Sequence, residues 1–174
     1  MKTGDILLVS GHDDQSRIIQ KFQMKADKES GKWNHSGVIY RTENGIYVTE
    51  SGYVKDRKLK AAVIIRPLSD YQDGKHELLL LESLIYPNLK VFEPQLLRYA
   101  GVDYDYWSLM HDQVIRTLGL GWVGRKGEKA ARRMLCHEFA QKAWDGYYPG
   151  IFPKWWEGDV SNIYHSDMFR HREL

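Results

Sequence analysis

Apolar positions along this chain recur in two rhythms, and the first third of the sequence keeps mostly to the shorter one. Ile6 to Ser10 is an aliphatic, β-branched run stopped by Gly11, which predicts a buried strand. Asp13 to Phe22 changes period. Ile18, Ile19 and Phe22 stand at helical spacing, with Asp13 or Asp14 as a cap. Ala26 to Lys32 is polar and reads as a mobile loop. His35 to Arg41 and Gly45 to Glu50 are strand-like. Asn44-Gly45 between them predicts a tight hairpin, because both residues tolerate positive φ. Ala61 to Pro67 is a third strand. Glu77 to Ser83 carries four consecutive leucines and fits strand or helix alike.

Farther on, the helical period dominates. Pro94 to Tyr99 predicts a short helix with proline near its first turn. Tyr106 to Leu118 places Trp107, Met110, Val114 and Leu118 on one stripe, ended by Gly119. Leu135 to Trp144 has Leu135, Phe139 and Ala143 on one side and Cys136, Ala140 and Trp144 beside them, with Gly146 ending the helix. Strands early and helices late predict an α+β fold in one domain over 1–174, with no repeat or linker.

Composition narrows the function classes. With 43% hydrophobic and 28% charged residues, the chain has the make-up of a soluble globular protein. Its formal charge of +2 is interspersed, which offers no footprint for nucleic acid. The densest basic stretch, Arg125 to Arg133, also holds Glu128 and reads as a solvated face. No apolar run approaches the ~20 residues that span a bilayer. The opening apolar stretch is too short for a signal peptide and lacks a cleavage site, so a cytoplasmic location is expected, with export by a partner protein left open. The aromatics Tyr147-Tyr148, Trp107 and Trp122 read first as core, although a sugar or acyl-chain groove would use them too. Trp155 and Trp156 are adjacent, so one of them is expected at the surface.

Candidate chemistry centres on Cys136, the one cysteine. A lone thiol excludes an internal disulfide and a cysteine zinc cluster. No histidine pair stands four apart on a predicted helix with a third ligand near, so neither metal nor organic cofactor is expected. Cys136 begins a helix, whose partial positive charge and unpaired N–H groups lower a thiol pKa and can hold an oxyanion. Two readings stand at this point: an inert core thiol beside the apolar stripe, or a nucleophile. Of seven histidines, His35 is the best base. It opens a strand, and antiparallel pairing across Asn44-Gly45 brings Glu50 close to it. A carboxylate there fixes the imidazole tautomer and stabilises its cation. The alternative for Glu50 is an exposed strand acid in a surface ion pair.

Four stretches together resemble the circularly permuted branch of the NlpC-like papain-fold hydrolases. That branch includes the YiiX-like bacterial proteins and, more distantly, lecithin:retinol acyltransferase. They are Gly4-Asp5-Ile6-Leu7-Leu8, Asn34-His35-Ser36-Gly37-Val38-Ile39 with its hairpin to Glu50, Gly101-Val102-Asp103-Tyr104-Asp105-Tyr106, and Leu135-Cys136-His137-Glu138-Phe139-Ala140. Their order, histidine before cysteine, is that of the permuted branch. The resemblance implies a papain-like α+β fold, a small antiparallel sheet or half-barrel packed on helices, with the cysteine helix near the C-terminus. It implies a thiol hydrolase of amidase, peptidase or acyl-transfer type, with Cys136, His35 and Glu50 catalytic. His137, Tyr104 and Asp5 become candidates for substrate or oxyanion contacts; His137 stands where the family usually has Ser. Implied substrates are peptides, cell-wall fragments or acyl lipids. The competing class is a catalytically silent binding or assembly module, such as a virion or cell-envelope component.

Overall fold

The four-leucine run resolves as a strand, and the reason lies in its neighbours. In the computed structural model, which describes residues 1–12, 14–52, 62–105, 133–152, 154–155 and 159–174, β1 (Ile6–Ser10) is central. It pairs antiparallel with β2 (His35–Thr42) on one side and β5 (Glu77–Ser83) on the other. Both faces of β1 are covered. Ile6 and Leu8 join a core with Val38, Leu79, Leu81 and the helical residues Phe139 and Trp144. Leu7 and Val9 join a second core with Ile39, Val48, Leu68 and Leu80. A strand buried on both sides reads as continuous apolar sequence, which is why periodicity alone did not separate it from a helix.

Among the described residues one sheet of eight strands runs in the order β7-β6-β4-β3-β2-β1-β5-β8. β3 is Gly45–Gly52, β4 Ala62–Pro67, β6 Asp103–Tyr104, β7 Arg133–Met134 and β8 Phe169–Glu173. All pairings are antiparallel except β6 with β7. The helices are α1 (Asp14–Ala26), α2 (Leu89–Leu97), α3 (Cys136–Tyr147) and α4 (Val160–Tyr164). The α+β class holds. The segregation does not: β6, β7 and β8 fall in the later half, because the two-residue strands β6 and β7 leave no periodic trace and β8 is polar and exposed but for Phe169.

Three expected boundaries move. The helix expected over Pro94 to Tyr99 is Leu89–Leu97, because Asn88 caps it by accepting from Lys90 N–H at 3.1 Å. Pro94 therefore lies inside the helix. Beyond it, the Gly101 N–H donates to Val63 C=O, and the Val63 N–H to Val102 C=O, drawing the chain back to the sheet. The polar stretch Ala26 to Lys32 is tied down rather than loose. Ser30 and Gly31 are buried, and Asp27 accepts from Ser30 Oγ at 2.6 Å and meets His165 Nε2 at 2.7 Å. Helix α3 passes Gly146 and ends at Tyr147. The helix expected over Tyr106 to Leu118, the aromatics Trp107, Trp122 and Trp156, the cap side chains Asp13 and Asp14, and the basic stretch apart from Arg133 lie outside the described residues. Trp155 is buried, with the Lys142 ammonium over its ring. Among the described residues no helix is long and apolar enough to cross a membrane.

Helix α3 packs across β2 and β3 and against α2. Its anchor is Trp144, fully buried between Phe92, Tyr147 and Phe169, with its indole N–H donated to Gly4 C=O at 3.0 Å. Burying one large side chain of this kind contributes about 3 kcal/mol. Gly4 makes the approach possible. Its φ is +96°, and a Cβ there would stand 3.1 Å from the Trp144 ring. The anchor at the far end of α3 fixes where its first residue, Cys136, arrives.

Candidate active site

His35 opens β2 and lies opposite Val9 of β1. The hairpin register pairs Val38 with Thr49. Continued outward, it sets Gly37 opposite Glu50 and Gly52 opposite His35, so that His35 and Glu50 are diagonal neighbours on one face. Both intervening partners are glycine, and neither has room for more. A Cβ on Gly37 would fall 2.3 Å from Val48 and 3.3 Å from Glu50 Cβ; one on Gly52 would fall 3.0 Å from Glu50 Oε1. The side chain of Glu50 fills the space they leave and reaches His35, with Oε2 at 2.6 Å from Nε2.

Glu50 is not the exposed acid of the alternative reading. It is 2% exposed and ringed by donors. Tyr71, at the end of the 3-10 turn Leu68–Tyr71, donates its hydroxyl to the same Oε2. Arg66 of β4 sets Nε 3.0 Å from Oε1 as an ion pair. Burial alone would raise the carboxyl pKa. The His35 charge, the two hydrogen bonds and Arg66 outweigh it and hold Glu50 below its ordinary value, hence ionised.

Cys136 is the first residue of α3, and its neighbours are imidazoles. His35 lies within hydrogen-bond reach, and so does the His137 ring. Nε2 of His35 faces Glu50, which leaves Nδ1 for the sulfur. Burial works against charge on both groups, yet the charges support one another. The His35 pKa is pushed up to about 10 by Glu50 and by the Cys136 thiolate. The thiol is held well below its ordinary value, chiefly by His35 and then by the hydrogen bond from His137. Both directions favour a thiolate facing an imidazolium, with the Glu50 carboxylate on the far side of the ring. Cys136 is 4% exposed, whereas the His35 side chain keeps 22% of its surface open.

The start of α3 is held by two further contacts. Glu138 at the third helical position accepts from Leu135 N–H at 2.8 Å, closing one end of the first turn. Ser51 Oγ donates to Met134 C=O at 2.6 Å, stapling the chain before Cys136 to β3. The remaining first-turn N–H groups have no intrahelical acceptor.

Of the other two candidates, Asp5 falls elsewhere. The Asp5 carboxylate accepts from Lys2 N–H at 2.8 Å and Ser83 N–H at 3.0 Å, at the end of β1 away from His35. It caps the sheet, and the structure does not bring it to the thiol. The Tyr104 backbone pairs with Met134, two residues before Cys136; its side chain lies outside what is described. Sequence reasoning missed Tyr71 and Arg66. Arg66 was findable, since Ile64 pairs with Glu50 and Arg66 is its next same-face neighbour on β4. Tyr71 left no signal, because a tyrosine after Pro67 in a short turn has no periodic context.

No family model matches the sequence, and no curated protein shows significant similarity to it. Among solved structures the chain is similar in fold to the metalloprotein yiiX from Escherichia coli O157:H7 (DUF1105), with a TM-score of 0.63 and 13% identity. The likeness covers 99% of this chain and 97% of that one. It defines the class as a YiiX-like α+β fold. Among the described residues no three His, Cys, Asp or Glu side chains converge as a metal-holding group, and the His35 Nε2 is committed to Glu50. The described residues around Cys136 therefore offer no metal-holding group.

Proposed function

We propose that this protein is a thiol hydrolase or acyl-transfer enzyme of permuted papain-like type. The observation that carries the reading is the Cys136 sulfur at a helix start beside an imidazole that Glu50 holds from the other side. The order of motifs along the chain and the full-length YiiX-like fold support it.

The chemistry follows from the charges. The Cys136 thiolate attacks the carbonyl carbon of an amide or ester, forming the C–S bond. First-turn N–H groups of α3 receive the developing oxyanion, an effect of roughly 3–4 kcal/mol per well-placed donor. The ring of His137, beside the sulfur, is a further donor to that oxygen. As the C–N or C–O bond breaks, His35 gives its proton to the leaving nitrogen or oxygen. Neutral His35 then takes a proton from water or another acceptor as that oxygen or nitrogen attacks the acyl-thioester; the C–S bond breaks, the sulfur leaves as thiolate, and the thiolate–imidazolium pair is restored. Glu50 keeps the ring oriented throughout. Peptides, cell-wall fragments and acyl lipids are the substrate classes this chemistry serves.

Iodoacetamide labelling tests the reading. Cys136 should alkylate rapidly near neutral pH, and His35→Ala should abolish that reactivity. A thiol that stays unlabelled until denaturant is added identifies a silent module instead. Incubation with peptides, peptidoglycan fragments and acyl lipids, followed by mass spectrometry of Cys136, then shows which acyl group is carried.

A further inference from the structure

Glu50 is held from three directions, and only one of them is the reacting pair. Its Oε2 is shared by His35 Nε2 and the Tyr71 hydroxyl, while Oε1 faces Arg66. Tyr71 does more than donate. Its ring lies nearly parallel to the His35 imidazole, 21° between planes with centroids 6.4 Å apart. Tyr71 also makes a T-shaped ring contact with His76, centroids 5.7 Å apart, and His76 Nδ1 is 2.9 Å from Asp73 Oδ1. Tyr71 thus touches both the turn carrying His76 and the strand face carrying Glu50 and His35. His35 and Arg66 each take one oxygen of the carboxylate; a further donor on the oxygen that faces His35 narrows its remaining freedom to turn.

We propose that Tyr71 is a positioning residue of the Cys136–His35 pair: its hydroxyl locks the Glu50 carboxylate in the orientation that faces His35 Nε2. The inference rests on the thiol-hydrolase reading and adds a residue that acts through Glu50 without touching substrate. The charged and titratable groups facing Glu50 are His35 from β2, Arg66 from β4 and Tyr71 from the 3-10 turn, with Cys136 of α3 beyond His35. His76 and Asp73 stand behind Tyr71. Without the phenol hydroxyl, Glu50 gains a proton at less acid pH, and the imidazolium loses its counter-charge there.

The test is the pH profile of Cys136 alkylation by iodoacetamide in the full chain, for wild type, Tyr71→Phe and Glu50→Gln. Tyr71→Phe should alkylate about tenfold more slowly than wild type near neutral pH, the loss of one charge-assisted hydrogen bond, with the deficit widening as pH falls and the melting temperature unchanged. Glu50→Gln should be slow across the range. Thermal melts accompany each profile. A Tyr71→Phe profile that superimposes on wild type overturns the proposal. So does uniform slowing at all pH with a lowered melting temperature, or failure to fold, since either makes the hydroxyl structural. A wild-type thiol that reacts only above about pH 8.5, as a free cysteine does, overturns the thiol-hydrolase reading itself before Tyr71 enters.

Discussion

At the scale of residues, the paired charges of Cys136 and His35 set a pH window. An unfolded imidazole titrates near its ordinary 6.5, whereas the folded His35 keeps its proton to about 10. Its pKa is raised, so its contribution to stability is complete below 6.5 and is lost as pH rises toward about 10. Cys136 has the opposite sign. Its folded pKa lies below the ordinary 9.0, so its contribution is complete above that value and is lost as pH falls through the folded value. The combined contribution therefore climbs with pH to 6.5, is level to 9.0 and declines toward about 10. The difference in melting temperature between wild type and a Cys136→Ala/His35→Ala double variant should trace that plateau; a monotonic difference would contradict the ion pair. Glu50→Gln keeps the shape of the side chain and removes its charge, and should slow alkylation at neutral pH by about a hundredfold, the weight of a buried ion pair of roughly 3 kcal/mol. The sequence held the pair because hairpin pairing is a local rule: Asn44-Gly45 alone brings Glu50 beside His35. It did not hold Tyr71, whose reach to Glu50 depends on how a turn packs.

Among elements, the site depends on the bareness of one strand face. Gly37 faces Glu50, and an added methyl would fall 2.3 Å from Val48. Gly37→Ala should cost about 1–3 kcal/mol by overpacking and, by pushing Glu50 aside, should lower alkylation along with stability. Urea titration and labelling of the same variant check both. A second element-level contact lies where α1 hands over to the chain returning to β2. Asp27 there is held down to about 2 by Ser30 first and His165 next. Its lowered pKa makes its contribution present above the ordinary 3.8 and lost as pH falls toward about 2. Asp27→Asn should cost about 1 kcal/mol near neutral pH and flatten the acid limb of the stability curve. Polarity misread this segment as mobile, because the same residue types serve solvated loops and hydrogen-bonded turns. Helix α2 was misplaced for a related reason. Proline is common at a helix start, but Asn88 was already the cap, and its signal was weaker than that of Pro94.

Over the whole molecule, the α+β class and the position of the cysteine helix were legible, since the apolar runs are long and the motifs ordered. The closing of the sheet was not. β8 is Phe-Arg-His-Arg-Glu, exposed but for Phe169, and reads as a polar tail. It is a strand because β5 offers it an open edge, and Glu82 ties it down through Arg170 and Arg172 at 2.8 and 2.9 Å. Removing residues 169–174 should uncover that edge and make the protein associate, seen as a rise in apparent mass by light scattering.

The reacting pair has its two halves at far-separated points of the chain, His35 on an early hairpin and Cys136 on a helix roughly a hundred residues on, a loop whose closure is slow. Timing follows from that distance. The hairpin can assemble from its own local contacts, carrying base and carboxylate with no sulfur to act on. The thiol stays an ordinary one until α3 lands across β2 and β3. During refolding, fast labelling of Cys136 should therefore return only with the last tertiary step, after the secondary-structure signal has recovered. The nucleophile is in effect a reporter that switches on when the fold is complete, and an unfinished chain is chemically quiet.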